Sequence, residues 1–281
     1  MCMPTISLSS VLFCWFYYYR LSQAHTKMTS APKTLILMAD YGHDPTETAV
    51  AFTIFKKAGF EVQFATETGN PPKCDDRMLY GVTGKILGAN KNVVEQYINM
   101  TKDPAAEKPL AWSDPDFSLL PFDLLYFPGG HEKSMKQIID SKPLHEHIAE
   151  YFPQTRKPSR KTVAAICHGV QTVSAACLPD GRSVLHDVTT TALPGALESS
   201  IYWLTRPFLG DYYKTYGKGS ENVETIVKKR LNDPKQFINK LGPSPFIHED
   251  GKYNYISGRF PPDTALLAGR AVDLVREVCQ S

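Results

Sequence analysis

The chain alternates short apolar runs with longer stretches whose apolar residues recur at helical spacing. "KTLILMAD" at 33–40 is an apolar run that stops at Asp-Tyr-Gly. Such a run predicts a parallel strand buried on both faces, followed by a loop. "TETAVAFTIFKKAG" at 46–59 carries Val50, Phe52, Ile54 and Phe55 and ends on Gly59, the pattern of a helix with a glycine stop. "FEVQFAT" at 60–66 alternates and predicts a second strand, completing a βαβ unit. Further strands are expected in "PFDLLYFPGGHE" (121–132), "KTVAAI" (161–166) and "SVLHDVTTTAL" (183–193), with two short ones about a turn at Asp250-Gly251. Helices are expected at 90–100, across 132–152 with an interruption at Pro143, and over the C-terminal "PPDTALLAGRAVDLVREVCQ". Residues 67–120 read as loop-rich. Residues 195–245 are aromatic and irregular and read as a lid or an added helical layer. The alternation predicts one doubly wound α/β domain over 33–281, a mostly parallel sheet sandwiched by helices with lid-like insertions.

Composition narrows the partners. Lys+Arg 31 against Asp+Glu 29 leaves a net charge of +2, so no basic face for nucleic acid or a membrane surface is expected. The six cysteines form no CxxC pair and show no zinc spacing. Free thiols, a reducing cytoplasmic compartment and no metal are the expectation. Residues 1–32 stand outside the domain. "ISLSSVLFCWFYYYR" is too short to span a bilayer as a helix. It resembles a signal h-region before Ser22-Gln23-Ala24, which would make the protein secreted, but no Lys or Arg precedes it. Met28 opens a natural start, so residues 1–27 are read as a disordered or over-extended leader.

In an open parallel sheet, ligands lie beyond the carboxyl ends of the strands. Three loops fall there: Asp40–Glu47, Pro128–Glu132 and Cys167–Gly169. In "TVAAICHGVQTVSAAC" (162–177), Cys167 sits between a predicted strand and helix, where the helix dipole favours a thiolate. Gly169 allows a tight turn, and His168 titrates near neutral pH. A buried core cysteine followed by a capping histidine fits the same local pattern. Gly129-Gly130 offers backbone N–H groups for an oxyanion, or is a plain tight turn. His131 is held as a pocket residue. Glu47 either favours the helix dipole or aims its carboxyl at Cys167.

"AAICHGV", "YFPGGHE" and "ADYGHDPTETAVAFTIFKKAGFEVQFAT" together resemble the ThiJ/PfpI superfamily, over about residues 33–278. The resemblance implies a flavodoxin-like, class I glutamine amidotransferase-like fold and a homodimer. It implies Cys167 as the elbow nucleophile, Glu47 as its hydrogen-bonding glutamate and His168 as the histidine of the Cys-His branch. That branch includes cofactor-independent glyoxalase III enzymes and chaperone-like stress proteins. Gly130 and the His168 N–H resemble its oxyanion site. The acidic third member expected after the next strand is Glu198, with Asp187 the alternative. Departures are Val170 where proline is common, Glu132 where glycine is frequent, and the aromatic 200–216 segment. No His-x-Glu motif of an amidotransferase follows. The expected function is a cofactor-free cysteine enzyme acting on a small electrophilic carbonyl, such as a 2-oxoaldehyde. Isonitrile hydration, or another specialised-metabolite step, and non-enzymatic redox sensing or chaperoning are the alternatives.

Overall fold

A computed structural model describes residues 30–80, 88–240 and 242–280. The expectations placed on residues 1–29 lie outside them. Seven strands form one sheet in the order β5-β3-β1-β6-β7-β9-β8. They are β1 (Lys33–Leu37), β3 (Glu61–Thr66), β5 (Leu110–Ala111), β6 (Leu124–Phe127), β7 (Thr162–Ile166), β8 (Ile247–Glu249) and β9 (Tyr255–Gly258). All neighbours run parallel except the β8–β9 hairpin. A two-stranded ladder, β2 (Tyr41–His43) with β4 (Lys73–Cys74), sits beside the site. The central strands β6 and β7 are buried at every position, as their unbroken apolar runs require.

Helix α1 (Pro45–Lys57) opens with Asp44, whose carboxylate accepts from the Thr46 and Glu47 N–H groups. It packs with α2 (Lys91–Thr101) and the C-terminal α6 (Thr264–Gln280). Helices α3 (Lys142–Tyr151) and α4 (His168–Ala175) pack together elsewhere on the sheet. Pro143 starts α3 rather than breaking a longer helix: Ser141 is its N-cap and proline stands in its first turn. The aromatic stretch forms α5 (Gly195–Leu209), then an irregular strap over 210–217.

The strand expected within 183–193 does not form. That stretch makes only isolated bridges, Cys177 with Ser183 and Thr190 with Phe237. Its backbone is satisfied elsewhere. Thr189 N–H donates to the Asp250 carboxylate at 2.8 Å and Thr191 N–H to the Ser257 hydroxyl at 2.9 Å. β7 already has β9 on that side, so the place beside β7 is filled. Among the described residues, no helix is long and apolar enough to cross a membrane. The described cysteines Cys74, Cys167, Cys177 and Cys279 are all free thiols.

Candidate active site

The parallel order brings the ends of β1, β6, β7 and β9 to one edge. At the end of β7 the chain turns sharply. Cys167 adopts φ 58°, ψ −124°, and it is the only non-glycine with positive φ among the described residues. This conformation costs about 1–3 kcal/mol. Its N–H donates to the Gly258 carbonyl at 3.2 Å, and its own carbonyl accepts from Val170 N–H at 3.3 Å. A Cβ on Gly169 would lie 2.0 Å from the Phe127 carbonyl oxygen. The glycine therefore permits α4 to start against β6. The result is an elbow with the Cys167 sulfur directed into a cavity.

His168 is the first residue of α4, and its Nδ1 lies 3.4 Å from the Cys167 sulfur. Its Nε2 lies 3.2 Å from the Thr215 hydroxyl. That hydroxyl has one proton, which goes to the His131 carbonyl at 2.9 Å. Thr215 therefore accepts from Nε2–H. The network assigns the Nε2–H tautomer and leaves the Nδ1 lone pair facing the thiol.

Glu47 comes from the first turn of α1, and its carboxyl is fully buried. Oε2 accepts from Gly129 N–H at 2.8 Å, while Oε1 has no partner. The carboxyl also meets the Cys167 thiol. This corrects one expectation: the Gly129 N–H is engaged by Glu47 and does not offer itself to an oxyanion. A Cβ on Gly129 would lie 2.7 Å from each of the Cys167 Cβ, Glu47 Oε2 and His168 N. Gly130 lines the cavity, and a Cβ there would stand 2.4 Å from the Gly42 carbonyl. The double glycine is thus a close-approach device. His43 locks it: Nε2 accepts from Ala39 N–H at 2.7 Å, so Nδ1–H donates to the Gly129 carbonyl at 3.1 Å.

The acidic candidates separate. Asp187 is half exposed and pairs with His186 at 2.7 Å, away from the cavity. Glu198 lines the cavity from α5. Its oxygens accept from Lys214 Nζ at 2.8 Å and Val223 N–H at 2.9 Å. The bond that orients the imidazole comes from Thr215, so Glu198 reaches His168 through charge alone. His131 stacks on Tyr213 with ring centroids 4.2 Å apart, and its Nε2 is buried without a partner.

The strap explains the aromatic segment. Asp211 pairs with Lys133, the Tyr212 hydroxyl donates to Asp75, Lys214 pairs with Glu198, and Tyr216 donates to Asp140. These bonds hold Tyr213 and Thr215 over a cavity of about 140 Å³. Clefts for drug-sized ligands run to ~300–1,000 Å³, so this one takes a small molecule. Its polar side is Glu47, Cys167, His168 and Glu198; Leu193, Leu197, Ile201 and Phe260 form an apolar wall.

A family model described as ThiJ/PfpI family-like matches residues 38–238. The chain belongs to the ThiJ/PfpI family. An uncharacterized protein of Schizosaccharomyces pombe is 28% identical over 244 residues, covering 86% of this chain and 84% of its own. Glyoxalase III from Candida albicans has a similar fold, with TM-score 0.63 and 17% identity, over 86% of this chain and 97% of that one. So does a ThiJ/PfpI domain protein from Brachyspira murdochii, with TM-score 0.53 and 16% identity, over 88% and 99%.

In this ThiJ/PfpI protein, burial dominates the electrostatics. Burial and the neighbouring Asp44 push the Glu47 carboxyl well above the usual carboxylate range, which favours its protonated form. Burial, then the Glu47 and Asp44 carboxyls, push the Cys167 thiol up; the His168 backbone N–H opposes them. The helix N-terminus therefore acts in the expected direction but is outweighed by burial. A neutral Glu47 removes its own part of that opposition, and its carboxyl proton can be donated to a thiolate. Burial lowers His168 to about 4, with Glu198 raising it and Lys214 lowering it. The resting pair is thus thiol and neutral imidazole, set for proton transfer when the sulfur attacks. Thr215, Lys214 and His43 were not singled out in the sequence. Thr215 lies 47 residues from His168, in a segment without regular structure, so no spacing could have marked it.

Proposed function

We propose that this chain is a cofactor-independent, cysteine-dependent enzyme of the glyoxalase III type, converting a small 2-oxoaldehyde and water to a 2-hydroxy acid. The observation that carries this reading is the Cys167 thiol facing the unprotonated His168 Nδ1 at 3.4 Å inside a small, strapped cavity. The fold shared with a protein named glyoxalase III supports it.

The Cys167 sulfur attacks the aldehyde carbon as its proton passes to His168 Nδ1. The aldehyde oxygen then takes a proton to give a hemithioacetal. His168 Nδ1, having passed its proton to that oxygen, removes the proton from C1 and a proton is returned at C2, through an enediol. C1 becomes a thioester and C2 an alcohol. Water cleaves the thioester, releasing the 2-hydroxy acid and restoring the thiol. The electrons lost at C1 are gained at C2, so the reaction needs no external oxidant or reductant. Thr215 keeps Nε2 protonated throughout, and the Gly130 and His168 N–H groups are the candidates for oxyanion support. Acid quenching during turnover of labelled methylglyoxal, followed by peptide mapping, tests the scheme. A 2-hydroxyacyl group on the Cys167 peptide is expected; lactate formation with no acyl group on that peptide would contradict it.

A redox-sensing reading has one observation in its favour, the Glu47 carboxyl against the Cys167 thiol, which in its protonated form can donate to a sulfinate oxygen. Selective oxidation of Cys167 by mild peroxide, with no turnover of any 2-oxoaldehyde, would favour it.

A further inference from the structure

Among the described residues, the ionisable side chains that line the cavity are Asp44, Glu47, His131, Cys167, His168, Glu198 and Tyr213; no described Lys or Arg is among them. Burial lowers His131 to about 3 and His168 to about 4, so both rings are neutral at pH 7. The cation behind this surface is Lys214. Its ammonium is 2.8 Å from Glu198, and both side chains are at least nine-tenths buried. Glu198 lines the cavity and Lys214 does not, so the pair turns its negative end toward the ligand. Leu193, Leu197, Ile201 and Phe260 supply apolar lining, Leu197 and Ile201 from the same helix as Glu198. An anionic ligand entering here would lose its water, meet no cation among the described residues, and face the Asp44 and Glu198 carboxylates.

We propose that the cavity selects uncharged carbonyl compounds with a short apolar substituent and rejects carboxylate- or phosphate-bearing ones. Glu198, pinned by Lys214, sets the charge rule, and the Leu193–Leu197–Ile201–Phe260 wall sets the polarity of the substituent. This assignment rests on the carbonyl-electrophile reading of the site. It gives Glu198 work that its geometry fits better than orienting His168. The oxygens that an orienting carboxylate would turn to the imidazole are taken by Lys214 and Val223.

The charge rule can be read without turnover. Iodoacetamide and iodoacetate are similar in size and differ in charge, and both alkylate thiols. Cys177 is exposed in the same chain and serves as the internal reference. Peptide mass mapping should show Cys167 discriminating against iodoacetate at least about tenfold more than Cys177 does. In Glu198→Gln, which leaves the Lys214 charge unpaired, that excess should shrink or reverse. Equal discrimination at the two cysteines, or no reaction of Cys167 with iodoacetamide, would overturn the proposal.

A substrate pair then links the rule to chemistry. 2-Oxopentanal and 4,5-dioxopentanoate differ by a carboxylate in place of a terminal methyl. The neutral compound should be turned over with kcat/KM at least about a hundredfold higher, and comparable values would overturn the rule. Turnover of neither, with the alkylation contrast intact, would sink the glyoxalase reading and leave the charge selection standing.

Discussion

The proton between Glu47 and Cys167 decides how the site works. If Glu47 is protonated, its carboxyl donates to and stabilises a thiolate. If it were ionised, its charge would oppose one. The two states give opposite signs on mutation. Glu47→Ala should raise the pH at which Cys167 alkylation by iodoacetamide reaches half its maximum, because a donor is lost. Glu47→Gln, which keeps a donor, should move it less; a fall in Glu47→Ala would mean an ionised Glu47. Thr215 acts one step further out, as a positioning residue. Thr215→Val removes the acceptor for Nε2–H and should lower kcat by about tenfold to a hundredfold with KM little changed, while Thr215→Ser retains activity. Nitrogen-15 shifts of His168 should report the Nε2–H form in the parent and a mixture of tautomers in Thr215→Val.

Elements place these groups through contacts that tolerate little change. α4 can begin at His168 only because Gly169 lies against the Phe127 carbonyl. Gly169→Ala should therefore cost several kcal/mol or prevent folding, since the obstacle is backbone and cannot rotate away. The end of β9 is fixed differently. Arg259 and Asp263 form a buried pair at 2.8 Å, with side chains 1% and 0% exposed, and Arg259 also caps the Ser244 carbonyl at 2.7 Å. This pair holds Phe260 against the cavity. Asp263→Asn should destabilise the protein by about 3–5 kcal/mol in urea unfolding, because it strands a buried guanidinium. The strands and helices that frame the site were legible because unbroken apolar runs and helical periodicity report burial directly. The elbow was legible from the strand, Cys-His-Gly and helix in sequence. The 183–193 stretch misled because valine- and threonine-rich sequence reads as a strand, whereas its backbone bonds go to Asp250 and Ser257. The strap was unreadable in detail: Tyr212, Lys214 and Thr215 each bond to residues remote in sequence, in a segment with no period.

At the scale of the whole molecule, buried titratable groups set the response to acid. His43 and His131 are held neutral to about 3 and His168 to about 4 by burial. In the unfolded chain each binds a proton near pH 6.5. Their contribution to stability is therefore full above that pH and is lost as pH falls toward their folded values. Asp44, raised to about 6, and Glu47, raised well above the usual carboxylate range, act in the opposite sense. Their contribution is full below the ordinary carboxylate range and is lost as pH rises through their folded values. Three histidines outweigh two carboxyls, and the partly buried His145 and His248 shift in the histidine direction. The unfolding free energy should fall by about 1–3 kcal/mol per pH unit from pH 6 to 4.5 in urea titrations. A flat or rising profile would contradict the burial assignments. One of these three imidazoles, His168, is also the base of the proposed reaction, so in that scheme stability and catalysis draw on the same burial. The central claim is that Cys167, served by His168, turns a 2-oxoaldehyde into a 2-hydroxy acid. The measurement that tests it most directly is lactate formation from methylglyoxal without glutathione, for the full chain and for Cys167→Ser. Lactate from the parent alone is the predicted result; lactate from both, or from neither, would contradict it.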